Sequence, residues 1–198
     1  MSAITVSSTE SEILDACDTL MARYGFRKMN MDDVAREAGV SRRTIYNFFK
    51  SKEDLGLSSI GRVVDEVFDE MVAISKRSGS YADRLRELLR HRVLGRLSRV
   101  RAYASSLDEL FEVVRPAYME RRRVMFTRER ELLESLIRDG VESGEFRPGT
   151  DESAESMLYA TNAFIPYSLS PDELGEEFEL TRKLDQMVDL LMSALRNT

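Results

Sequence analysis

The chain has 198 residues, is 42% hydrophobic, lacks tryptophan and carries a formal net charge of −6. That length suits one small domain beside a larger one, and no apolar run approaches the roughly 20 residues that cross a bilayer. The start M-S-A-I-T-V-S-S lacks the basic-then-apolar order of a secretory signal, and the single cysteine, Cys17, excludes an internal disulfide and fits a reducing cytoplasm as a small buried thiol.

Four prolines, ten glycines and no alternating strand pattern predict an all-α fold. Thr9 and Glu12 have capping-box spacing for a first helix running to about Tyr24, with Gly25 as its stop. Asn30 is an N-cap, Asp33 lies in the first turn, and Met31, Val34, Ala35 and Ala38 form one apolar stripe before Gly39 turns the chain. Ser41 caps the next helix. There Ile45, Phe48 and Phe49 fall on one side, with Arg43, Tyr46, Asn47 and Lys50 on the other and Arg42 on the flank.

Two short helices joined by a glycine turn, the second outwardly basic, are how a helix-turn-helix offers a reading helix to the major groove. Guanidinium and amide groups pair with base edges, and cations and hydroxyls pair with phosphates. The candidate DNA-binding residues are therefore Lys28, Asn30, Ser41, Arg42, Arg43, Thr44, Tyr46, Asn47, Lys50 and Lys52. An ordinary helical hairpin with a solvated charged face is the bland reading; agreement of turn chemistry, aromatic closure and basic face argues against it. Charge supports the same view despite the acidic whole. Residues 27 to 52 hold seven Lys/Arg against three Asp/Glu, while residues 139 to 189 hold three against thirteen. Affinity for nucleic acid follows the local basic patch.

The run Ile13 to Leu55 resembles the N-terminal domain of the TetR/AcrR family of bacterial transcriptional regulators. The matching stretches are a first helix ending in Y-G-F, then D-V-A-R-E-A-G-V-S, T-I-Y-N-F-F and S-K-E-D-L. The resemblance implies that Tyr46 touches the DNA backbone and that Lys52 binds phosphate at the start of the fourth helix. It also implies dimerisation through the last two helices and an effector cavity among the middle ones. Met29 stands where the family often has a phosphate-binding threonine, and Arg43 replaces a commonly small residue. The expected division is residues 1–52 as the DNA-binding domain and 53–198 as the ligand-binding and dimerisation domain.

Ser51 and Asp54 cap a fourth helix whose Leu55, Ile60, Val63, Val64, Val67, Phe68, Met71 and Val72 run on to about Ser75. Further helices are predicted from about Tyr81 to Tyr103, Ser106 to Val113, Pro116 to Ser143 and Asp151 to about Ile165. A last one follows Ser170-Pro171-Asp172-Glu173, whose cap, N1 proline and acidic first turn make a strong start. In that helix Leu174, Phe178, Leu184, Val188, Leu191 and Leu195 make one stripe, which Leu180, Met187, Leu190 and Ala194 widen. So much apolar surface predicts a four-helix homodimer interface built from the last two helices, with a thick single-chain core as the alternative.

On the Pro116 helix, Arg122 and Glu129 fall in the middle of an apolar face made by Tyr118, Met119, Met125, Phe126, Leu132, Leu133, Leu136 and Ile137. Arg96 lies among Leu85, Leu89, Val100 and Tyr103, and Asn162 borders the stripe of Leu158, Thr161 and Ile165. Buried charges must be paired. Either Arg96, Glu129 and Arg122 form a structural network, or Arg96, Tyr103, Arg122, Met125, Phe126, Glu129 and Asn162 line a cavity for a small polar or anionic effector. Residues 76 to 101 hold nine Lys/Arg against two acids. They favour an acidic effector, a second DNA contact or, more simply, the acidic C-terminal helices.

An enzyme has little support. His91 is the one histidine and reads as solvated, Cys17 lacks a basic partner in sequence, and no metal spacing or phosphate loop appears. The expectation is a cytoplasmic homodimeric regulator, a repressor that binds a pseudo-palindromic double-stranded operator, is released from it by a small-molecule effector, and uses no cofactor and no membrane. The alternatives are a DNA-binding dimer without an effector and a helical protein-interaction module.

Overall fold

Asn30 and Ser41 mark the two starts that define the N-terminal part. In the computed structural model, which describes residues 8–150, 152–165 and 177–195, Asn30 Oδ1 accepts from the Asp33 amide at 2.9 Å and Ser41 Oγ from the Thr44 amide at 3.0 Å. Each satisfies an amide that a helix start leaves unpaired. The described elements are α1 (Ser8–Tyr24), α2 (Met31–Glu37), α3 (Arg42–Phe48), α4 (Lys52–Ser75), α5 (Tyr81–Val100), a single 3-10 turn (Arg101–Tyr103), α6 (Ala104–Glu142), α7 (Ser153–Asn162) and α8 (Glu177–Ser193). No β-strand occurs among the described residues, so the fold is all-α. Gly25 and Gly39 end α1 and α2 with φ of +83° and +67°, conformations that disfavour any side chain.

Three expectations about helix ends are corrected. Thr9 lies inside α1, because the helix already includes Ser8. The Tyr81 helix stops at Val100, and a 3-10 turn re-aims Tyr103. The helices expected on either side of Pro116 are one helix of 39 residues with the proline inside it. Proline removes one amide from the ladder. The carbonyl it leaves, on Glu112, belongs to an exposed residue and can be hydrated. The expected helix start at Ser170 to Glu173, Leu174 and the Pro166 stop lie outside the described residues.

By compactness the chain divides into one unit of Met1–Arg62 with Arg101–Met119 and another of Val63–Val100 with Glu120–Thr198. The first unit buries Ile13, Leu14, Cys17, Leu20 and Met21 of α1 against Val34, Ile45, Phe49, Leu55 and Leu110. Gly56 of α4 permits this closeness, since a Cβ there would stand 2.7 Å from Leu110 and 2.9 Å from Phe26. Arg62 ties α4 to α1 through Asp15 at 2.6 Å and Asp18 at 2.7 Å, and Ser59 also donates to Asp18. Burial raises the Asp18 carboxyl despite these donors, and burial with the nearby Asp18 charge pushes the Cys17 thiol far up. Cys17 is a neutral core residue.

The second unit has a core of Val67, Met71, Leu85, Leu88, Leu89, Val93, Leu133, Leu136, Ile137, Leu158, Leu184, Val188 and Met192. Arg86 and Arg90 of α5 pair with Asp189 and Asp185 of α8. Arg99 pairs with Glu66 and Glu70 of α4. Much of the basic run is thus met by acids of this unit, the simplest of the three readings. His91 is corrected from solvated to half-buried, with Nε2 2.7 Å from Glu70 Oε2.

Candidate nucleic-acid interface and a buried polar network

Helix α3 is held from behind and open in front. Ile45 is fully buried and Phe49 nearly so, while Arg42, Arg43, Tyr46, Asn47 and Lys50 are exposed. Phe48 departs from expectation, being 39% exposed. The helix ends at Phe48, and Phe49 continues in extended backbone with φ −129° and ψ 124°, so helical spacing no longer relates the two rings. Phe49 turns into the core and Phe48 stays on the outward side.

The expected DNA-binding residues differ in how they are engaged. Arg42 pairs with Asp32 at 3.1 Å, and its guanidinium lies 5.7 Å from the Tyr46 ring centre. Asn30 and Ser41 spend their side-chain oxygens on caps, and the Thr44 hydroxyl lies 2.8 Å from that of Ser41. Lys28 is exposed, whereas neighbouring Met29 is buried in the core. No hydrogen bond or ion pair engages the side chains of Lys28, Arg43, Asn47 or Lys50 among the described residues. Lys52 is turned inward: Nζ donates to the carbonyls of Phe26 at 3.1 Å and Arg27 at 3.2 Å. Asp54 accepts from the Lys50 amide at 3.0 Å while its own amide donates to Ser51 Oγ at 3.2 Å, so the start of α4 is capped by Ser51 and tied to the residue before it.

Arg27, just before α2, is held from α6. Its amide donates to Glu109 at 3.0 Å and its guanidinium to Glu112 at 2.5 Å. Ser106 donates to the Met21 carbonyl at 2.9 Å. The first turns of α6 therefore hold the loop that carries the reading helices.

The expected effector residues divide between the two units. Tyr103 belongs to the first, buried beside Ser59 and Asp18, where burial and the Asp18 charge push its phenol up. Arg96, Arg122, Met125, Phe126, Glu129 and Asn162 belong to the second. There Arg92 Nε donates to Glu129 Oε2 at 3.0 Å, Nη1 to Thr161 Oγ1 at 2.9 Å and Nη2 to Asn162 Oδ1 at 2.7 Å. Arg96 donates to the other Glu129 oxygen. Burial alone would raise the Glu129 carboxyl, but Arg92 and Arg96 outweigh it and hold it below the usual carboxylate range. Sequence reasoning missed Arg92, although its spacing four residues before Arg96 puts both on one face of α5. Arg122 is half-buried instead, its guanidinium 5.9 Å from the Phe126 ring centre, and Phe126 meets Tyr159 at 5.1 Å between centroids.

A helix-turn-helix with an anchored, outwardly basic second helix defines a DNA-binding regulator, and comparison with known proteins agrees. Residues 13–57 match the model for bacterial regulatory proteins of the tetR family. The chain is 30% identical over 145 residues to the HTH-type transcriptional regulator YfiR of Bacillus subtilis (strain 168), covering 70% of this chain and 68% of that protein. It is 28% identical over 162 residues to the HTH-type transcriptional repressor KstR2 of Rhodococcus jostii (strain RHA1), covering 80% and 78%. The fold is shared with Bacillus subtilis FadR, solved in complex with stearoyl-CoA, at a TM-score of 0.64, 19% identity and coverage of 94% and 99%. The chain belongs to the tetR family and is a DNA-binding transcriptional regulator. Among the described residues no helix is long and apolar enough to cross a membrane.

Proposed function

We propose that this regulator is a cytoplasmic homodimeric repressor that grips a pseudo-palindromic operator with α3 and releases it when a small molecule binds the second unit. The observation that carries the reading is the state of α3. Arg43 and Asn47 stand exposed and unengaged on a helix whose Ile45 is locked in the core, with Phe49 buried and Lys50 exposed and unengaged just beyond its end. Base edges take the Arg43 and Asn47 groups, and Lys28, Lys50, Ser41, Thr44 and Tyr46 supply backbone contacts.

Two reading helices about 34 Å apart fit successive major grooves. Dimerisation through α7 and α8 supplies the second, with the functional division at residues 52 and 53. Tyr159, Phe178 and Leu190 support it as large apolar side chains left 60%, 79% and 65% exposed on those two helices. KstR2 is named a repressor and FadR was solved with an acyl-CoA; an acyl-bearing effector among α5, α6 and α7 is the corresponding reading here. Release follows if the effector prefers a different position of α4, which begins in one unit and ends in the other. A coupling of about 1–3 kcal/mol gives a useful switch.

Selection of bound fragments from the organism's own DNA tests the reading. A shared palindrome, bound with steep salt dependence and released by an acyl compound, is the expected result. No enrichment at low ionic strength rejects DNA binding, and a ligand screen without release rejects the effector.

A further inference from the structure

We infer that Phe48, the last residue of α3, reads thymine: its ring takes the C5-methyl group of one thymine in each half of the operator. The inference deepens the proposed operator contact and rests on the reading that α3 enters the major groove.

Met31, Val34, Ile45 and Phe49 of the two reading helices and their end turn inward and are buried, whereas Phe48 is exposed. A ring left in water forfeits the burial that Phe49 obtains one residue later. Position and support distinguish Phe48 from a casual surface aromatic. It stands one helical turn beyond Thr44, on the flank of the Arg43 and Asn47 line opposite Tyr46. It therefore borders the two groups that the proposed contact gives to base edges. The support comes from behind. Its ring centre lies 6.3 Å from that of Phe49 with the planes tilted by 37°, a separation usual for aromatic pairs. Phe49 is 3% exposed, so a ring fixed in the core braces the exposed one. An aromatic held in this way has little freedom left to lose when a partner covers it.

The chemistry of the groove selects the occupant. Base edges in the major groove present hydrogen-bond donors, acceptors and one apolar substituent, the thymine C5-methyl. Phe48 can neither donate nor accept a hydrogen bond, so phosphates and polar edges offer it no partner. Tyr46, the other exposed ring of α3, has a hydroxyl for a phosphate, and the Arg42 guanidinium lies 5.7 Å from its ring centre. The two rings thus divide the work, Tyr46 holding the backbone and Phe48 a methyl group. Covering that methyl removes apolar surface from water on both partners.

The test uses the whole 198-residue chain and an operator selected from genomic fragments. Each thymine is replaced in turn by uracil, symmetrically in both halves, which deletes the methyl and keeps the base pair. At one position this should weaken binding about tenfold. Phe48→Ala should bind the thymine operator at least about tenfold more weakly. At the sensitive position it should bind the thymine and uracil forms within about twofold of each other, the signature of a direct coupling. Circular dichroism establishes that the variant is folded; if it is not, Phe48→Gln, which keeps a long side chain without the apolar ring, should show the same loss of discrimination. Insensitivity to uracil at every position overturns the assignment. So does a sensitivity that survives in the folded variant, which places the methyl effect in duplex deformability or in another side chain. A chain that binds no fragment at low ionic strength overturns it together with the entry of α3 into the groove.

Discussion

Lys52 sets its ammonium 4.7 Å from the centre of the Phe26 ring while donating to the Phe26 and Arg27 carbonyls. The first residue of α4 thus clamps the loop between α1 and α2, using two of its three donors before any phosphate is met. Lys52→Ala should destabilise the protein without DNA by about 1–2 kcal/mol. Urea denaturation reads this directly; a lysine serving only phosphate would leave the curve unmoved.

Arg43 has the opposite character. With no partner among the described residues and an exposed side chain, Arg43→Ala should leave stability within about 0.5 kcal/mol and weaken specific binding by about 1–3 kcal/mol while relaxing preference at one position. Binding measured over a panel of single-base operator variants checks it. An unchanged preference profile assigns Arg43 to the backbone.

The proposed dimer face requires different substitutions from those the apolar stripe suggests. Leu184 is fully buried in its own subunit and Leu191 half-buried, so charges there would damage the core. Phe178→Glu combined with Leu190→Glu should give folded monomers whose operator affinity falls about a hundredfold or more. Sedimentation and circular dichroism separate the outcomes; persistent dimers place the interface elsewhere.

Glu129 links the buried network to acid. Its carboxyl is held below the ordinary range by Arg92 and Arg96. The stability it confers is therefore present above the unfolded carboxylate pKa, about 4.3, and is lost as pH falls through the lower folded value. Glu129→Gln should cost about 3–5 kcal/mol near neutrality by stranding two buried cations. It should also flatten the decline in melting temperature below about pH 4. A variant with the wild-type acid limb would show that other carboxylates govern it.

What could be read from sequence was local. Asn30, Ser41, Gly25 and Gly39 announce helix ends through neighbours only a few residues away, and each acts there as expected. Errors arose where a distant partner decided the outcome. Pro116 reads as the start of a separate helix, but it lies inside one that begins at Ala104. Tyr103 was grouped with Arg96 because helical spacing was carried past Val100, where the chain changes to a 3-10 turn. Helix spacing named Arg96 and Arg122 as partners of Glu129, whereas Arg92 joins Arg96 there. Thr161 and Asn162 of α7 join Arg92 there, and their approach cannot be read from α5 or α6 alone.

The pairing of most cations near the reading helix with groups of the same chain has a thermodynamic consequence. Arg27, Arg36 and Arg42 are engaged by Glu112, Asp33 and Asp32, and Lys52 by carbonyls. Among the described residues, Lys28 and Lys50 are the uncommitted cations assigned to phosphates in each head, so the proposed dimer is expected to displace about four condensed ions from a duplex, for a log–log slope of about −4. Such a regulator gains modestly from random DNA and must draw its discrimination from the few groups that touch bases.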